Sequence, residues 1–152
     1  MLICGIDPGK TGGVAFVSLQ GSDAEVFDMP ALPDLVSILK ERQSSILRVF
    51  IEKQQVFKGQ GIVSSGNLMK HYGEILGVLT ALSIPFEEIP PKRWQAVIHG
   101  GKHSKKSRKE KKQASIQKAK QMFPELEIGK KDGRAEALLI AEYGRRLLCF
   151  AG

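Results

Sequence analysis

Apolar residues crowd positions 2–6 (Leu2, Ile3, Cys4, Ile6) and 14–17 (Val14, Ala15, Phe16, Val17), with Asp7, Pro8, Gly9, Gly12 and Gly13 between them. Such short apolar runs predict two buried strands joined by a turn, a hairpin with an acid at its hinge. Residues 24–28 alternate and predict a third strand, which the prolines Pro30 and Pro33 break, so three antiparallel strands come first. Leu35, Val36, Ile38 and Leu39 make residues 34–43 an amphipathic helix. Residues 47–52 form a compact β-rich run, the next and central strand, and it too ends in an acid, Glu52. The polar, glycine-containing stretch 53–61 reads as a loop with one large aromatic, Phe57. Leu68, Tyr72, Ile75, Leu76, Leu79 and Leu82 then recur at helical spacing, and Gly66, Gly73 and Gly77 mark a face that another helix approaches, within the chain or across a dimer seam. A last short strand over 85–89 stops at Pro90-Pro91, and a helix over 92–98 closes at His99-Gly100-Gly101. A mobile loop over 102–107, a helix ending before Phe123-Pro124, and a final helix over 131–148 complete the chain.

Length and charge sharpen this outline. A chain of 152 residues fits one domain, taken as 1–152, and is too short for the two duplicated domains of an actin-type kinase. No apolar stretch reaches membrane-spanning length and the amino terminus is a strand, so a soluble protein that stays where it is made is expected. Cys4 and Cys149 belong to no metal or redox motif and suit a reducing cytoplasm. Residues 102–120 hold nine basic side chains and one acid, a net +8 against +7 for the whole chain, so the remainder is close to neutral. Basicity concentrated in one patch is what a polyanion needs. A solvated tail is the other reading, but this run is internal and continues into Ile116, Ala119, Met122 and Phe123 at helical spacing.

The hairpin acid admits several chemistries. Gly9-Lys10-Thr11 imitates the end of a phosphate-binding P-loop, yet three residues rather than four separate Gly5 from Gly9, and strand follows where a helix is required. The Asp7 to Gly13 core also fits the first phosphate loop of actin and sugar-kinase type ATPases, the first strand of a ribonuclease H-like nuclease, or a plain hairpin; length favours the nuclease, which needs no nucleotide cofactor. Glu52 ends a second strand, and Asp132 and Glu136, four apart, share one face of the last helix, where Glu136 stands among alanines and leucines. Asp132 alone also fits a helix N-terminal acid favoured by the dipole. Acids brought together from these places repel unless divalent cations bridge them. Carboxylate oxygens suit Mg²⁺ or Mn²⁺, and two ions about 4 Å apart serve phosphodiester hydrolysis. His71, His99 and His103 have no zinc-ligand spacing.

Gly5-Ile6-Asp7-Pro8-Gly9, Ile51-Glu52, Pro90-Pro91-Lys92-Arg93-Trp94, Lys130-Lys131-Asp132 and Ala135-Glu136-Ala137-Leu138 occur in an order and at a spacing that resembles the RuvC group of Holliday-junction resolvases, in particular its compact bacteriophage and poxvirus-like members. The resemblance implies a ribonuclease H-like α/β fold, a mixed five-stranded sheet with helices on both faces. It implies a homodimer that makes paired symmetric incisions in a four-way DNA junction, acting in the cytoplasm of a bacterial host if phage-encoded. Asp7, Glu52 and Glu136 match its catalytic, metal-binding acids, and Asp132 is assigned with them, although the expected acid three residues before Glu136 is here Gly133. Phe57 falls where the family places an aromatic that pries bases apart at the crossover; a packed loop aromatic is the alternative. Lys102, Lys105, Lys106, Arg108, Lys109, Lys111 and Lys112 would track phosphates. Nucleases of this fold acting on other branched DNA or RNA–DNA hybrids, and a non-catalytic junction-binding protein, remain open.

Overall fold

A computed structural model describes residues 1–150; Ala151 and Gly152, the end of the expected domain, lie outside the described residues. In chain order the elements are β1 (Leu2–Asp7), β2 (Gly13–Ser18), β3 (Ala24–Asp28), α1 (Leu32–Arg42), β4 (Ile46–Glu52), α2 (Ile62–Ala81), β5 (Phe86–Ile89), α3 (Pro91–His99), α4 (Arg108–Met122) and α5 (Asp132–Phe150). The strands form one sheet in the order β3-β2-β1-β4-β5. β1 pairs antiparallel with β2, from Leu2 opposite Ser18 to Asp7 opposite Gly13, and β2 pairs antiparallel with β3. β4 runs parallel to both β1 and β5. The expected α/β sheet with its antiparallel first three strands is therefore present.

Side chains of a strand alternate between faces, and here both faces are covered, which is why these strands read as unbroken apolar runs. On one face Ile3, Ala15, Val17 and Phe50 join Trp94 and Ile98 of α3, Ile116 and Ala119 of α4, and the buried side of α5. On the other, Cys4, Ile6, Val14, Phe16, Val49 and Ile51 join Leu35 and Leu39 of α1 and Tyr72, Ile75 and Leu79 of α2. Full burial of each such large apolar side chain contributes about 1.5–3 kcal/mol. α5 lies unusually close to the sheet. A Cβ at Gly5 would stand 2.2 Å from the Ala137 carbonyl oxygen, and one at Gly144 would stand 2.2 Å from the Phe50 ring.

Two expectations change. The stretch 102–107 is not all loop: Gly101–Lys105 is a 3-10 turn. Gly100, at φ +80°, ends α3, and the chain folds back so that the His103 ring, 2 % exposed, stacks on His99 with centroids 4.0 Å apart. The lysines around that ring stay exposed, so the stretch looks like loop in one dimension. The second change concerns α2. Nothing lies within 4 Å of a Cβ at Gly66, Gly73 or Gly77, so an internal helix contact does not account for these glycines. Among the described residues no helix is long and apolar enough to cross a membrane.

Candidate active site

Parallel pairing of β1 with β4, Ile6 opposite Ile51, sets the C-terminal ends of the strands side by side and so brings Asp7 next to Glu52. The start of α5 reaches the same edge because Gly133 nests on the β1–β2 turn: a Cβ there would stand 2.1 Å from the Thr11 carbonyl oxygen and 2.5 Å from that of Gly12. Arg134 secures the contact. Its Nε and Nη2 donate to the Asp28 carboxylate at 2.8 and 3.0 Å, and its Nη1 donates to the Glu127 carbonyl at 2.9 Å. Asp132 and Glu136, in the first turns of α5, consequently face the strand ends. All four acids line one cavity of about 260 Å³, together with Gly9, Thr11, Gln95, Arg108, Lys111 and Lys112.

Gly133 occupies the position where the resemblance asks for an acid, and the turn leaves no room there for a side chain. The acid one residue earlier, Asp132, stands in the cavity instead, and its Oδ2 lies 2.9 Å from the Lys112 Nζ.

Burial disfavours charge on three of these carboxyls, Asp7, Glu52 and Glu136, and the charge of a neighbouring acid adds to it at each. Burial and then the Asp7 charge push Glu52 up to about 7, partly offset by a hydrogen bond from the Trp94 indole. Asp7 is raised chiefly by burial and further by Asp132, against the Gly9 N–H that donates to its Oδ1 at 3.3 Å. Glu136 is raised by burial and then by Asp7, Glu52 and Asp132, while the Lys112 ammonium acts in the opposite sense. Hard carboxylate oxygens from four acids, three of which resist ionising together, suit a divalent cation such as Mg²⁺ or Mn²⁺. Among the described residues no three acid, histidine or cysteine side chains already close on a single ion-sized point. The fit therefore rests on the donor chemistry and on the repulsion a cation would relieve.

The basic residues divide into two groups. Arg108, Lys111 and Lys112 of α4 line the acidic cavity, whereas Lys102 and Lys105 on the 3-10 turn, Lys106 just after it and Lys109 at the start of α4 are exposed outside the cavity lining. Ser107 and Glu110 cap that helix reciprocally, which fixes where the basic row begins. Phe57 is 64 % exposed, against the packed-aromatic alternative, and is not among the cavity residues. A larger, mainly apolar recess of about 740 Å³ opens between Lys10, Met29–Ala31 and the start of α2; no acid lines it. Sequence reasoning missed the Asp132–Lys112 ion pair and the bond from Trp94 Nε1 to Glu52 Oε2, 2.6 Å long. The signal for the second was an aromatic with a polar N–H just after a double proline.

Compared by sequence, the chain matches no family model and no curated protein. Compared by structure, it is similar over nearly its whole length to several solved chains, among them the following three. One is Thermus thermophilus RuvC, at TM-score 0.63 and 18 % identity over 99 % of this chain and 97 % of that one. A second is T. thermophilus RuvC in complex with a Holliday junction substrate, at TM-score 0.70 and 17 % identity over 99 % and 96 %. The third is Fowlpox virus resolvase with its substrate Holliday junction DNA, at TM-score 0.55 and 19 % identity over 97 % and 99 %. At these identities the likeness is one of fold, and that fold is ribonuclease H-like.

Proposed function

We propose that this protein is a metal-dependent, structure-selective DNA endonuclease that resolves four-way junctions by paired symmetric incisions. The observation that carries the reading is the convergence of Asp7, Glu52, Asp132 and Glu136, from two strands and a helix, in one cavity whose rim is basic. Two of the similar folds are recorded with Holliday junction DNA, which supports the choice of substrate. The four acids would hold Mg²⁺, with Mn²⁺ able to substitute; two such ions, when bound, activate the attacking water and stabilise the leaving 3′ oxygen. The chain's own cations do the rest. Arg108, Lys111 and Lys112 draw a phosphodiester toward the carboxylates, and Lys102, Lys105, Lys106 and Lys109 extend the track along the backbone without reading sequence.

Junction selectivity in this reading comes from a homodimer that holds two cavities at a fixed separation, with the exposed Phe57 entering the crossover. The uncovered face of α2 supports a dimer: Ile62, Gly66, Met69, Gly73 and Gly77 recur there at helical spacing, and Ile62 is 91 % exposed. The cytoplasm of a bacterial host is the compartment this activity suits. Asp7→Asn and Glu52→Gln keep shape and remove charge, so each is expected to abolish Mg²⁺-dependent cutting of a labelled junction while gel-shift binding persists. Folded variants that lose binding in parallel with cutting would count against the assignment.

A further inference from the structure

We infer that Trp94 is a positioning residue for Glu52, its indole fixing one carboxylate oxygen so that the other is presented to a cation. The inference rests on the nuclease reading above. Its geometry begins in the sheet. Glu52 pairs with Ile89 at the ends of β4 and β5, and Pro90 follows at once. Proline cannot extend the ladder but suits the start of a helix, so β5 passes directly into α3. The first turn of α3 then carries Trp94 back over the strand end. Its Nε1 donates to Glu52 Oε2 at 2.6 Å across 42 residues of sequence.

Packing gives this bond its stiffness. The Trp94 ring is fully buried in the same apolar cluster as Ile89, Ile98 and Leu139. An indole donates and cannot accept, so it engages one oxygen, Oε2, of the ionised carboxylate, while a hydrogen bond from the Gln54 side chain also favours the charged form. A carboxylate left to rotate would instead offer a cation either oxygen, or both. Donors of this kind, one step removed from a metal, commonly govern affinity about ten- to a hundredfold.

Trp94 is the single tryptophan in the chain, which makes the contact directly observable. Metal-stripped protein titrated with Mg²⁺ is expected to show a saturable change in indole emission that Glu52→Gln abolishes. Trp94→Phe removes the donor, and replacement of the lone tryptophan by 3-benzothienylalanine removes it while keeping the bicyclic shape. Both are expected to weaken Mg²⁺ binding by calorimetry about tenfold or more and to raise the Mg²⁺ needed for half-maximal cutting by the same factor. Cutting at saturating Mg²⁺ should be largely retained. Should Trp94→Phe fail to fold, the isosteric analogue decides. An analogue that melts like wild type and binds Mg²⁺ like wild type overturns the positioning role and leaves the nuclease reading intact. Wild-type protein that binds no Mg²⁺ overturns that reading itself, and the inference with it.

Discussion

Glu52 sits between opposing demands: burial and the neighbouring Asp7 charge resist its ionisation, while the Trp94 indole N–H favours it, with the balance near pH 7. An acid whose folded pKa lies above its ordinary 4.5 holds a proton in the folded state that the unfolded chain has already released. Metal-free stability therefore falls as pH rises from the ordinary acid range through about 7, with Asp7 and Glu136 adding in the same direction. Glu52→Gln cannot ionise. With chelator present at about pH 8 it is expected to be more stable than wild type, by up to about 3 kcal/mol, and equal to it in mild acid. Urea unfolding at the two pH values checks this, and Mg²⁺ should restore the wild type. A variant less stable than wild type under alkaline, metal-free conditions would mean that the carboxylate is already satisfied without a cation.

At the scale of elements, the site depends on where α5 begins. Gly133 lies against the carbonyls of Thr11 and Gly12, so Gly133→Ala must lift the first turn of α5 off the hairpin. The substitution is expected to cost about 1–3 kcal/mol and to reduce cutting far more than junction binding, because Asp132 and Glu136 move with that turn. Melting and cutting measured on one preparation test it; unchanged cutting would place the acids' alignment under other control. The strands that deliver Asp7 and Glu52 were legible in the sequence because a sheet covered on both faces writes itself as apolar runs, and an acid ending such a run stands out. Glu136 was legible for the same reason, an acid among alanines and leucines. The turn around His103 was hidden because its only buried side chain is a histidine among exposed lysines. The Trp94–Glu52 bond was hidden too, since it needs the β4–β5 register and the direction in which α3 leaves the sheet.

At the scale of the whole molecule, Arg108, Lys111 and Lys112 line the acidic cavity, while Ile62, Val63 and Met69 lie uncovered on α2. Gly73→Glu separates folding from assembly. The position is open, and glutamate is a better helix former than glycine by roughly 0.5–1 kcal/mol, so the protomer should fold at least as well; a charge buried in an α2 seam should leave it monomeric in sedimentation and able to make only unpaired nicks. A variant that stays dimeric would place the seam elsewhere. The claim beneath all of this is that acids from three elements share divalent ions against a DNA backbone. Mapping the cuts that purified protein makes in each strand of a labelled, immobile four-way junction, with and without Mg²⁺, tests it most directly. The account predicts paired cuts at symmetric positions across the crossover that appear only with Mg²⁺ and vanish in Asp7→Asn. Cutting that proceeds without divalent ions, or intact strands in bound, Mg²⁺-loaded complexes, would contradict it.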